Sequence, residues 1–382
     1  MAQWTCRCIT VVLMNATSFC FAPATAGPPA AVSYPSLQRF FSRLAAGDRV
    51  TVAYLGGSIT WGAAATDPLK TSYRARVTRY LRETYREAHV RAVDAAIGGT
   101  PSRLGVFRMD RDVLPYDPDL TFVEFAVNDN SAAATSQETM EGIVRKLHRA
   151  NPDMAIVILI LGSGWTYGSA TAPSHRELAA YYGIPCIDVY SEIKSRVDSG
   201  DISTRDFLHD GTHPNDTGYR LYADVMTSYL ERMRRQTGAA TPFPETPLTK
   251  NRYESAAMIE LAKLPEQGSW TVAQPALVGT WFDHQPSRWH DTAIRPRHDG
   301  ASLSLDVTCT GVGLYYEITN GGGPLRLEAD GKTVLELNSD MSFDYARVAY
   351  AFTFLDARRN RTVTLKAPQK DKTKAAYLLV TR

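Results

Sequence analysis

The chain predicts an α/β protein: a flavodoxin-like three-layer parallel sheet of strand order 2-1-3-4-5, followed by a C-terminal β-sandwich of jelly-roll type. Three observations carry this. Five apolar runs alternate with helical patterns in the first half of the chain, and such alternation favours a parallel sheet with helices on both faces. Several runs, Ala155–Leu161 above all, are apolar at nearly every position, as strands buried on both sides are. Past residue 268 the texture changes to short strand-like runs separated by turn signals such as Asn320-Gly321-Gly322-Gly323 and Asp330-Gly331, the pattern of an all-β unit.

Taken in order, residues 1–26 read as a secretory signal: Arg7, a mostly apolar stretch from Cys8 to Phe21, and the A-x-A site Ala24-Thr25-Ala26. The stretch is short for a membrane span. A secreted or periplasmic location follows, with no membrane insertion after cleavage. A Pro-rich leader runs to about Pro35, then a short helix near Leu37–Ala45. Strands are expected at Val50–Leu55, His89–Ala95, Leu120–Val127, Ala155–Leu161 and Ile184–Val189. Helices are expected at Ser72–Glu87, Gln137–Ala150, Ala172–Tyr182 and Tyr190–Val197. Pro214 opens a last helix reaching about Arg235, since Pro suits a first helical position. These elements make a first domain over residues 27–236. Residues 237–268 read as a linker with a short helix near Arg252–Leu264. Residues 269–382 make the β-domain, with runs at Ser302–Thr308, Gly313–Ile318, Leu325–Ala329, Val334–Leu337, Arg347–Phe354, Thr362–Lys366 and Ala376–Thr381.

Composition removes several function classes. The 382 residues are 44% hydrophobic, enough for sizeable cores and against global disorder. Without the signal, 41 basic side chains face 40 acidic ones, which gives no electrostatic footing for nucleic acid or an anionic membrane. Cys6, Cys8 and Cys20 leave with the signal. Cys186 and Cys309 read as two separate buried thiols in preference to a disulfide.

The chemistry concentrates at strand ends. Gly56-Gly57-Ser58-Ile59-Thr60 follows the first strand, so a serine stands in a glycine-rich turn. Asn128-Asp129 follows the third strand, and Asp210-Gly211-Thr212-His213 precedes the last helix. In an open parallel sheet, sites form beyond the carboxyl ends of the strands. A serine hydroxyl is a poor nucleophile until a base takes its proton. Serine, base, acid and amide donor are all in such positions, and the chain reads as a serine esterase. Thr60 stands where a GxSxG elbow needs glycine, which excludes that turn. A metal site at His209, Asp210 and His213 is the competing reading, with no third strong ligand in a recognisable motif. Glu124 and Asp188 are polar residues in or at the end of apolar strands and read as organisers of loops by hydrogen bonding. Trp61 and Trp165 lie beside the site loops. Trp270, Trp281 and Trp289 lead into the β-domain, either as sugar-stacking surfaces or as core.

Four blocks, GGSIT (56–60), AIGGTPS (96–102), VEFAVND (123–129) and DGTHPN (210–215), resemble those of the SGNH (GDSL-type) hydrolase family over roughly residues 48–235. The resemblance implies Ser58 as nucleophile, His213 as base and then acid, and Asp210 as the group orienting it. It implies an oxyanion hole of the Ser58 N–H, the Gly99 N–H and the Asn128 amide, with Gly98 the alternative register. It implies no cofactor and no metal. Gly57 stands where many members carry Asp, a variant associated with extracellular carbohydrate-active members. The β-region is similar to jelly-roll modules that accompany some carbohydrate esterases. The expected activity is removal of O-acetyl or other short acyl groups from a polysaccharide or oligosaccharide. Hydrolysis of non-carbohydrate esters, polysaccharide O-acetyl transfer by the same serine cycle, and a non-catalytic binding role stand as alternatives.

Overall fold

The computed structural model describes residues 32–129, 133–164, 166–265, 268–276, 289–342 and 346–382. The signal segment, Trp165 and Trp281 lie outside the described residues. The first domain is built on five parallel strands, β2 (Arg49–Gly56), β3 (His89–Ala96), β4 (Leu120–Glu124), β5 (Ala155–Ile160) and β6 (Cys186–Asp188). They pair in the order β3-β2-β4-β5-β6, which is 2-1-3-4-5 counted within the sheet. A short parallel pair, β1 (Val32–Ser33) with β7 (Ala239–Ala240), ties the leader to the segment after the last helix.

Helices cover both faces. On one lie α1 (Pro35–Ala45), α3 (Tyr73–Thr84), α7 (Val189–Asp198) and α9 (Asp216–Met233); on the other lie α4 (Ser102–Asp112), α5 (Ala133–Ala150) and α6 (Ala172–Tyr182). Two short helices, α2 (Ser58–Trp61) and α8 (Thr204–Phe207), belong to site loops. In α1 the apolar positions Leu37, Phe40, Phe41 and Leu44 recur at helical spacing and are all buried.

In the first domain two expectations need correction and one helix is added. Pro214 does not open α9. It bridges Leu208 instead, and Asn215 caps the helix by accepting from the Gly218 N–H at 3.0 Å. The third strand ends at Glu124, not Val127, because Asn128 and Asp129 both donate backbone bonds to the Phe125 carbonyl. The helix α4 was not expected, since Gly105 interrupts its pattern. That glycine is needed: a Cβ there would stand 2.5 Å from the Phe125 ring.

The C-terminal domain is antiparallel. Eight strands form one continuous curled sheet in the order β13-β12-β14-β11-β15-β10-β9, with β8 also paired to β15. They are β8 (Ala257–Glu260), β9 (Trp270–Ala273), β10 (Ala293–Pro296), β11 (Ala301–Ile318), β12 (Pro324–Ala329), β13 (Lys332–Asn338), β14 (Arg347–Ala367) and β15 (Lys374–Thr381). Four of the expected runs merge pairwise into the long β11 and β14, which stay paired across a register shift between Cys309 and Gly311. Such a bulge bends and twists a strand without ending it. The helix expected near Arg252–Leu264 is instead β8 followed by a 3-10 turn at Leu261–Lys263. Its residues follow the edge of β15 through four pairs, Ala257 to Val380 and on to Glu260 with Tyr377.

Burial along β11 explains how the domains meet. Its first half is buried mainly at alternate positions, whereas Gly311–Glu317 is buried throughout. Leu314 and Tyr316 face the β-domain core, while Tyr315 faces the first domain. Phe107 of α4 meets Phe352 of β14 with ring centroids 4.9 Å apart. Lys146 spans the seam, donating to the Ala256 carbonyl at 2.6 Å and to Asp110 at 2.8 Å. Trp270 and Trp289 are buried, so both serve the core. Cys186 and Cys309 are free thiols.

Candidate active site

The strand β2 delivers its last residues to the carboxyl end of the sheet, where the chain turns into α2. Gly57 is extended at the N-cap and Ser58 is the first helical residue. The helix lasts one turn, because Gly62 takes a left-handed conformation at φ 106°. Ser58 is therefore fixed by backbone geometry at the start of a short helix and is nearly fully buried.

His213 approaches from the loop before α9. Its Nε2 lies 2.9 Å from Ser58 Oγ, and its Nδ1 lies 2.8 Å from Asp210 Oδ2. The loop is cross-tied: His209 N–H donates to the His213 carbonyl at 2.7 Å, and Gly164 N–H donates to Gly211 at 2.6 Å. Asp210 Oδ1 accepts the N–H groups of Thr212 and His213, each at 2.7 Å. Burial works against ionisation of Asp210. The His213 N–H, the His213 ring and the Thr212 N–H outweigh it and hold the carboxyl below its ordinary value. With Nδ1–H given to the carboxylate, Nε2 is left to accept the serine proton. The arrangement can do acyl transfer.

The other oxyanion candidates lie on the turns after β3 and β4. Gly99 takes φ 70° in the turn after β3 and is exposed, while Gly98 is buried. Asn128 reaches over the nucleophile turn: a Cβ on Gly57 would overlap its Oδ1. A residue with a side chain at 57 would push that amide aside. Glycine at this position leaves Asn128 in the place it holds here.

The contacts of Asp129 are structural. Its Oδ1 accepts the Ser102 N–H at 2.8 Å, at the start of α4, so it caps that helix. The loop of Gly98 and Gly99 is thereby tied to the loop of Asn128. His175, buried on α6, stands 3.4 Å from the other Asp129 oxygen. Asp188 caps α7 through Ser191 N–H at 2.8 Å and pairs with Arg176 at 2.5 Å. Trp61 is half-buried beside the site, and His209 is exposed. Among the described residues no group of three or more His, Cys, Asp or Glu side chains is disposed to hold a metal ion, and no helix is long and apolar enough to cross a membrane.

Residues 54–221 match the family model of the GDSL-like lipase/acylhydrolases. This segment is a GDSL-like lipase/acylhydrolase domain. The protein is a carboxylic ester hydrolase, as the four blocks implied. None of the curated proteins matches the chain in sequence. Among solved structures, the hydrolase is similar to a two-domain esterase active on acetylated mannans, co-crystallised with mannopentaose. That likeness has a TM-score of 0.77 at 24% identity and covers 92% of this chain and 96% of that one. A second crystal structure of a two-domain esterase active on acetylated mannans gives 0.76 at 23% identity, covering 92% of this chain and 97% of that one. The shared fold extends through both domains.

Proposed function

We propose that this hydrolase is an exported serine esterase that removes acetyl or other short acyl groups from a polysaccharide or oligosaccharide, with acetylated mannan the first candidate. The observation that carries the chemistry is the hydrogen-bonded run from Asp210 through His213 to Ser58 at the carboxyl end of the parallel sheet. The choice of carbohydrate is supported by the likeness across both domains to an esterase active on acetylated mannans.

Ser58 Oγ attacks the ester carbonyl carbon and its proton passes to His213 Nε2. The Ser58 N–H, the Gly99 N–H and the Asn128 amide donate to the developing oxyanion. Collapse breaks the bond to the sugar oxygen, which takes the proton from His213 and leaves as a hydroxyl. A water then attacks the acyl-serine, giving its proton to His213. Acetate departs as Ser58 regains that proton. Asp210 holds the imidazole tautomer and stabilises the imidazolium throughout.

The test is acetate release from acetylated mannan, xylan and pectin, set against aryl esters of increasing chain length. Preference for acetylated glycans and two-carbon acyl groups is expected. Preference for acyl chains of eight or more carbons would overturn the carbohydrate reading. Faster transfer to added sugar than to water would make the protein an acyltransferase. Residues 1–26 are proposed as the export signal, and N-terminal sequencing of the exported protein should find Gly27 first.

A further inference from the structure

We infer that Glu124 is a positioning residue that braces the nucleophile turn against the loop carrying Asn128, and that its carboxylate is the bracing form. The inference rests on Ser58 being the nucleophile. Glu124 is the last residue of β4, and its side chain follows Phe122 onto the face covered by α3 and α9. It is 1% exposed. Thr60 Oγ1, two residues past Ser58, donates to Glu124 Oε2 at 3.2 Å, and the Tyr73 hydroxyl of α3 donates to Thr60 at 2.8 Å. Glu124 Oε1 is buried with no hydrogen-bond partner among the described residues; the N–H groups of Ala126 and Val127, which lead into Asn128, favour the ionised carboxyl. One carboxyl thus links the turn that presents the Ser58 N–H with the loop that presents the Asn128 amide. These are two of the three donors assigned to the oxyanion.

The charged and titratable groups around it come from every packed element. They are Asp129 on its own loop, Tyr73 on α3, Tyr167 after β5, and Tyr219 and Tyr222 on α9. Arg74 donates to the Thr60 carbonyl at 3.3 Å but pairs with Asp94 at 3.0 Å. Arg108 lies across the sheet, donating to Gly56. Burial pushes Glu124 up to about 7, although the Thr60 hydroxyl and the two N–H groups pull the other way. Since the folded value lies above the ordinary 4.5, the native state binds the extra proton between those values. Its stability therefore falls as pH rises from about 4.5 to 7.

The test compares wild type, Glu124→Gln, Glu124→Ala and Thr60→Val on one acetyl ester from about pH 5 to 9, with Ser58→Ala alongside. Glu124→Gln should lose roughly ten-fold in kcat and Glu124→Ala on the order of 100-fold, with KM nearly constant, as loosened oxyanion donors would give. Thr60→Val should lose as much as Glu124→Gln, and the double variant no more than either, because both cut one link. Below about pH 7, log kcat of the wild type should fall with a slope one proton steeper than that of Glu124→Gln. At pH 8 the thermal midpoint of Glu124→Gln should equal or exceed that of the wild type. Wild-type kcat with the wild-type slope in Glu124→Gln overturns the inference, as does an effect confined to KM or a midpoint that falls with kcat. Should Glu124→Ala fail to fold, Glu124→Gln decides alone. Turnover by Ser58→Ala would instead overturn the serine reading itself.

Discussion

The two faces of the parallel sheet differ in what they connect. The face under α1, α3, α7 and α9 buries hydroxyls. Tyr54 meets Thr78 at 3.0 Å, Tyr73 donates to Thr60 at 2.8 Å, and Tyr219 donates to the Ala63 carbonyl at 2.7 Å. The face under α4, α5 and α6 buries polar groups too, among them Ser102 with Thr139, Tyr182 with Glu141, and Arg108, but its apolar core runs on into the second domain through Phe352, Tyr377 and Leu379. Buried polar groups must be hydrogen-bonded to be tolerated, and once bonded they specify one geometry. Apolar contacts are non-directional and scale with area. One face is therefore suited to aim the nucleophile turn, and the other to hold two domains together.

Changes on the second face should cost stability without touching the chemistry. Phe107→Ala removes a buried ring that touches both Tyr253 and Phe352 and should lower unfolding free energy by about 3–5 kcal/mol. Denaturant melts would measure it, with kcat unchanged wherever the variant is folded. A fall in kcat in the folded variant would break the division between the faces.

Changes at the nucleophile turn should do the reverse. In Gly57→Ala the new methyl displaces the Asn128 amide, a flexible side-chain end, so the fold should survive. The expected loss is about 100- to 1000-fold in kcat, the usual cost of one oxyanion donor, with a melting midpoint near that of wild type. An active Gly57→Ala would remove Asn128 from the oxyanion hole.

The smallest effect on stability is at Asp210, whose side chain is 48% exposed. Its carboxyl lies below the ordinary 3.8, so its contribution to stability is complete above that value and is lost as pH falls through the lowered one. Solvent screening limits that contribution to less than about 1 kcal/mol. Asp210→Asn should thus destabilise slightly at pH 7 and not at all in strong acid, although its kcat should fall steeply. A deficit that persists in acid would mean that Asn fails for reasons other than charge.

Much of the first domain was legible because its strands are uniformly apolar and several of its site residues lie at strand ends, where local sequence and chemistry coincide. Ser58 and Asn128 stood in such places, and Asp210 and His213 stood together in a short block before the last helix. What escaped was set by contacts distant in sequence. The helix α4 hid behind Gly105, whose role is to let Phe125 approach. The strand β8 was masked by a helical-looking segment, and only the free edge of β15, more than a hundred residues later, makes it a strand. Glu124 stood out as a polar residue in an apolar strand. Its partner Thr60 was visible only as a departure from the GxSxG pattern, since their 3.2 Å bond exists only once β2 and β4 are paired.

The central claim is that Ser58 carries the acyl group. Rapid quenching during turnover of an acetyl aryl ester, followed by peptide mass spectrometry, tests it directly. The predicted result is an acetyl adduct on the peptide containing Ser58, more abundant in a His213→Ala variant that deacylates slowly, and absent from an inactive Ser58→Ala. An adduct on another residue, or wild-type turnover by Ser58→Ala, would contradict the account.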